Sequence, residues 1–205
     1  MPSFSLLPTS PSAKFLQVFL GLRHGFVFSL LGLTAMIGLS GCASPKLEDY
    51  ATQTPVLDLE KYFKGQTMGW GIVQDRFGRI TRRFVVEIDG RFEGDRGELD
   101  ERFVWSDGEK QRRVWRLQKI GSQEWVGEAD DVVGKAQGRL SGNALQWGYT
   151  LAIPIDGRTI EMQFDDWMVL VDEDVLMNRA VFSKFGIRLG EVTLSFRRMP
   201  APPAP

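Results

Sequence analysis

The sequence predicts an all-β fold, an antiparallel meander of about ten strands that closes as a barrel or packs as a sandwich. Three observations lead there. Turn signals recur at short, regular intervals: Arg76-Phe77-Gly78, Asp89-Gly90, Ser106-Asp107-Gly108, Gly121-Ser122, Val133-Gly134-Lys135, Ser141-Gly142-Asn143, Asp156-Gly157, Asp172-Glu173-Asp174 and Lys184-Phe185-Gly186. The runs between them are of strand length and rich in β-branched and aromatic residues. Apolar residues also alternate with a period of two, as in Leu145-Trp147-Tyr149-Leu151-Ile153, Ile160-Met162-Phe164-Asp166-Met168-Leu170 and Ile80-Arg82-Phe84-Val86-Ile88. A helix would need a period of 3.6, and these runs do not show it.

The elements follow in order. Phe26 to Leu39 is an uncharged run of 14 residues after Arg23-His24, the layout of an export signal and too short for a membrane span. Residues 1–41 are therefore expected to be a signal helix that is removed. Residues 42–56, Cys42 and the polar, aperiodic and proline-containing stretch after it, read as a flexible tether. The barrel domain spans 57–199. It begins with a short helix over Leu57–Phe63 that opens at Asp58, a good capping residue. Gly65, Gly69 and Gly71 then share one face of the first strand, where missing side chains permit the coiling that barrel closure needs. Residues 200–205, Pro-Ala-Pro-Pro-Ala-Pro, read as an extended tail.

Composition narrows the chemistry. The 205 residues carry 25 Lys+Arg against 26 Asp+Glu, and the single His and Cys are His24 and Cys42. Beyond Cys42 there is no imidazole and no thiol, which excludes a Ser-His-Asp triad, a Cys nucleophile, a disulfide and a His or thiolate metal site in that part. The acidic balance does not attract nucleic acid. No Gly-rich phosphate loop, calcium loop or nucleotide fingerprint is present, so no cofactor or metal is expected.

The informative residues are the polar ones that alternation places on apolar faces: Arg82, Glu101, Arg113, Asp131, Asp166 and Asn178. A charge in an apolar interior costs several kcal/mol unless it is paired. These residues therefore imply a wet ligand cavity, with Arg82 or Arg113 holding a carboxylate or phosphate head and residues such as Trp147 and Tyr149 around the tail. Two other readings stay open: an ion-pair network that plugs the barrel, and a one-residue slip that turns the charges to solvent. Asp130-Asp131 and Asp165-Asp166 are adjacent in sequence, so their side chains point to opposite faces. Glu101 with Asp166 across strands would instead permit carboxylate acid/base chemistry, that of a lyase, isomerase or glycosidase.

Leu39-Ser40-Gly41-Cys42 resembles the lipobox of bacterial lipoproteins. Together with LDLEKYFKG (57–65), GWGIVQDRFGRITRRF (69–84), GEADDVVGKAQGRLSGNALQWGY (127–149), DDWMVL (165–170) and NRAVFSKFGIRLGEVTLSF (178–196), the chain resembles a proteobacterial lipoprotein family defined only as a domain of unknown function. Gly65, Gly69 and Trp70 also resemble, with a different spacing, the Gly-X-Trp opening of lipocalins, which implies a lipocalin-like, calycin-type barrel. These resemblances imply acyl chains on Cys42 that anchor the protein to a membrane. Ala43 after the cysteine implies the periplasmic face of the outer membrane. The function expected is the binding of a fatty acid, lipid or other apolar ligand in the barrel. The alternative is a structural or interaction lipoprotein with a filled barrel.

Overall fold

The computed structural model describes residues 45–200; the apolar run, Cys42 and the tail 201–205 lie outside them. Ten strands follow a short helix α1, Leu59–Phe63: β1 Gly65–Asp75, β2 Ile80–Glu93, β3 Arg96–Trp105, β4 Lys110–Lys119, β5 Glu124–Glu128, β6 Ala136–Ser141, β7 Ala144–Ile155, β8 Arg158–Leu170, β9 Val175–Lys184 and β10 Ile187–Arg198. Each strand pairs antiparallel with its sequence neighbour, and β1 pairs with β10, so the meander closes into a barrel. Closure leaves no free sheet edge among the described strands.

Alternation sets what faces inward. In β2, Phe84, Val86 and Ile88 are buried while Arg83 and Glu87 are exposed, and the interior positions of the other strands follow the same period. Gly69 and Gly71 lie on the inner face of β1, where a β-carbon would strike Phe196 and Phe84 respectively. These two rings occupy the space that the glycines leave.

The two ends of the barrel differ. At one end α1 crosses the opening and buries Leu59, Tyr62 and Phe63. Asp58 caps it by accepting from the Lys61 amide at 3.0 Å. The Tyr62 hydroxyl donates to the Asp174 carbonyl at 3.0 Å, in the β8–β9 turn. At the other end the turns β1–β2, β3–β4, β7–β8 and β9–β10 and the longer loop 129–135 surround a mouth.

Two local expectations change. Asp89-Gly90 is not a turn, because β2 runs on to Glu93 and the chain reverses at Gly94, whose φ is 57°. Gly90 is small for another reason: a β-carbon there would collide with the Phe63 carbonyl of α1. Gly90→Val is accordingly expected to lift α1 from the barrel and cost about 2–3 kcal/mol, read as a lower urea midpoint. Residues 45–56, expected to be a flexible tether, include a 3₁₀ turn at Leu47–Tyr50 packed on β6 and β7. Leu47 is buried there and Tyr50 lies 5.8 Å from the Trp167 ring, contacts that a polar, aperiodic sequence does not announce.

Candidate functional site

The barrel interior holds a cavity of about 750 Å³. Phe63 and Leu59 of α1 form part of its lining at the closed end, and aromatic side chains from β2, β3, β4, β7 and β8 form much of its wall. Phe84 lies 4.9 Å from Trp105, Tyr149 stacks on Phe164 at 5.1 Å, and Trp115 faces Trp147 at 6.5 Å between ring centres. The Trp105 indole donates to Gln111 at 3.2 Å, which meets its need for a partner.

Two polar clusters interrupt this apolar wall. The first is built on strand register, since Glu101 of β3 lies directly opposite Arg113 of β4. Loop 129–135 adds Asp131, which accepts from Arg113 at both guanidinium nitrogens that face it, Nε at 2.9 Å and Nη2 at 2.7 Å. Glu101 stands farther off, 3.8 Å from Nη1. Burial pushes the Glu101 carboxyl up to about 7, against the pull of Arg113 and with the added repulsion of Asp131 and Asp166. The Arg113 guanidinium is held more basic than usual by its carboxylate partners, which outweigh the opposing effect of burial.

The second cluster surrounds Asp166 on β8. Tyr149 of β7 donates its hydroxyl to Asp166 Oδ2 at 3.0 Å. Asn178 of β9 donates to Asp166 Oδ1 and, at 3.1 Å, to the Trp167 carbonyl. Burial pushes Asp166 up to about 6, while the bonds from Asn178 and Tyr149 pull it back. Tyr149 is raised well above its ordinary value by burial and by the Asp166 charge.

Every interior residue expected from alternation, Arg82, Glu101, Arg113, Asp131, Asp166 and Asn178, lines this cavity, with Trp147 and Tyr149 beside them. A one-residue slip is therefore excluded, and the interior charges form the ion pairs of the network reading with a cavity left between them. The two arginines, however, do not converge on one point. Arg82 belongs to the mouth, where its Nη2 bonds Asp107 and Glu109 at 2.7 and 2.8 Å. Its guanidinium lies 4.0 Å over the Trp105 ring, and its Nε is buried without a partner among the described residues. Sequence reasoning missed Asp107 and Glu109 because turn residues carry no period. The signal was hairpin adjacency, since the β3–β4 turn stands next to Arg82 on β2.

Chemically, the deep region sets three carboxylates against one guanidinium. Glu101, titrating near neutrality, is able to carry or release a proton there. Both arginines already have two carboxylate neighbours each.

The structure of an S-type phycobiliprotein lyase from Guillardia theta is similar, with TM-score 0.54 and 8% identity over 77% of this chain and 100% of that one. A protein of unknown function from Nostoc punctiforme, of the DUF3598 family, matches with TM-score 0.50 and 11% identity over 72% of this chain and 51% of its own. At such identities the likeness is one of fold, and the ten-stranded closed barrel agrees with it. No curated protein matches the chain. A family model described as a protein of unknown function matches residues 36–198, and the chain belongs to that family, DUF3833.

Proposed function

We propose that this protein is a binding barrel that holds a lipid or other apolar ligand in its interior, anchored through acyl chains on Cys42 at the periplasmic face of an outer membrane. The observation that carries the reading is the aromatic-walled cavity of about 750 Å³, within the range of small-molecule sites. Anchoring rests on the lipobox resemblance. Cys42 precedes the first described residue, Pro45, by three positions, and the Leu47–Tyr50 turn packs on β6 and β7.

The charge balance selects the polar end of the ligand. A carboxylate beside Arg113 would be a fourth anion next to one cation, so the deep cluster favours a hydroxyl, an amine or a protonated acid that hydrogen-bonds Glu101 or Asp166. A fatty acid would enter tail first and leave its carboxylate in the solvated mouth, where Arg82 is shared with Asp107 and Glu109.

All strand pairs and the core cluster lie within residues 57–198, so the chain from Pro45 onward contains a complete fold. Native mass spectrometry of that chain, purified from periplasm before and after solvent extraction, tests the reading. A reproducible bound mass in the lipid range that extraction removes is expected, together with saturable binding of Nile red to the extracted protein. A clean apo mass with no saturable dye binding would sink the proposal.

A further inference from the structure

Outside the cavity, the mouth presents an uneven surface. Three hairpins that neighbour one another around the barrel, β1–β2, β9–β10 and β7–β8, carry large apolar residues at or beside their tips. Phe77 is 70% exposed, Phe185 87% and Ile155 37%, with Ile80 and Ile187 exposed just behind them. Single exposed apolar residues are ordinary, but a row on adjacent tips at one end is not. The two phenylalanines stand on adjacent hairpin tips. The β1–β10 register ends with Asp75 opposite Gly190, which brings the Phe77 turn alongside the start of β10, directly after Phe185.

Each tip also carries a cation that makes no salt bridge among the described residues: Arg76, Lys184 and Arg158. Arg76 lies 4.7 Å over the Phe77 ring and Lys184 4.8 Å over Phe185, so charge and apolar surface are presented together. Of the acids nearby, Asp75 is engaged by Arg79 and the turn amides, and Glu191 by Arg179 and Arg188. Asp156 and Glu161 are exposed carboxylates left at or just behind these tips, and the Lys184 ammonium donates to the Glu161 carbonyl at 2.9 Å. The other two mouth segments are acidic: Asp107 and Glu109 in one, Asp130 and Asp131 in the other.

We infer that the Phe77, Phe185 and Ile155 hairpin tips form a docking surface for an anionic lipid bilayer. The apolar side chains enter the headgroup boundary while Arg76, Arg158 and Lys184 meet lipid phosphates, the combination that binds peripheral proteins to membranes. Because the tips border the mouth, docking would place the cavity opening against the bilayer. Docking itself does not depend on what the cavity holds, so it stands or falls apart from the ligand reading.

The test is sedimentation of the chain from Pro45 onward with vesicles of phosphatidylethanolamine and phosphatidylglycerol, with phosphatidylcholine vesicles as the uncharged comparison. Binding is expected only to the anionic vesicles and is expected to fall with added salt. Phe77→Ser with Phe185→Asn should weaken it by at least about tenfold, since each ring contributes buried apolar area. Asn suits position 185, where φ is 53°. Both side chains are exposed, so the double variant should keep the wild-type urea midpoint and dye binding. No sedimentation of the wild-type domain, or sedimentation unchanged in the double variant, would overturn the inference. So would a concentration-dependent dimer abolished by the same substitutions, which would assign the patch to a second copy.

Discussion

Raising the pH from about 5 to about 8 is expected to cost the barrel roughly 2–4 kcal/mol of unfolding free energy, seen as a falling urea midpoint. The cause is the pair of buried acids, Glu101 with its carboxyl pushed up to about 7 and Asp166 pushed up to about 6. In the unfolded chain both release their protons near pH 4. Across the window the folded state therefore binds more protons than the unfolded one, and stability declines as pH rises. It is fully present below the unfolded values and lost as pH passes the folded ones. Acids held low by partners, such as Asp75, Asp100, Asp107 and Glu128, act in the opposite direction but only at lower pH, so they leave this window clear. Glu101→Gln with Asp166→Asn should flatten the profile. A flat profile in the wild type would show that water in the cavity solvates both carboxylates.

The second large effect concerns Arg113. Replacing it with Met removes the one cation among three carboxylates and strands Asp131 and Glu101 without a partner. Breaking a buried pair in this way costs about 3–5 kcal/mol, and the lower end is expected because the cavity admits water. Most of the loss should return when Glu101→Gln and Asp131→Asn are added, since the penalty lies in uncompensated charge and not in missing contacts. Urea unfolding of the single and triple variants measures both quantities. A single variant within about 1 kcal/mol of wild type would mean that the pair behaves as a surface ion pair. The same result bears on ligand studies. Arg113 is too tightly bound into the barrel to serve as a simple probe of headgroup binding, whereas Arg82 at the mouth is suited to that role.

Much of this protein was legible before its structure. Period-two alternation in β2, β7 and β8 named the strands, and the same count named the residues that point inward. It succeeded at Asp166 because adjacent carboxylates on an extended strand must face opposite ways, whereas Asp131, expected on a strand, lies in a turn of loop 129–135 and reaches the cavity without that alternation. Asp165 turns out to Gln146 as that alternation requires, and Asp130 meets Arg116 from the loop. Local reading failed where a residue answers to something distant in sequence. Gly90 looks like a turn glycine, yet it is small because α1 packs on it. Leu47 sits in a polar stretch, yet the outer wall of β6 and β7 buries it.

The sequence by itself determined the all-β class, the strand count and the inward set, because these rest on backbone geometry and the cost of exposing apolar area, both local properties of the chain. Which interior residues meet was decided only by tertiary structure. Register set Glu101 opposite Arg113, and a long loop delivered Asp131 to the same guanidinium. A turn from the neighbouring hairpin neutralised Arg82, which moved the two expected headgroup ligands to different depths. Electrostatic partnership depends on distances of a few ångströms between segments far apart in sequence, and no pattern along a single strand encodes it.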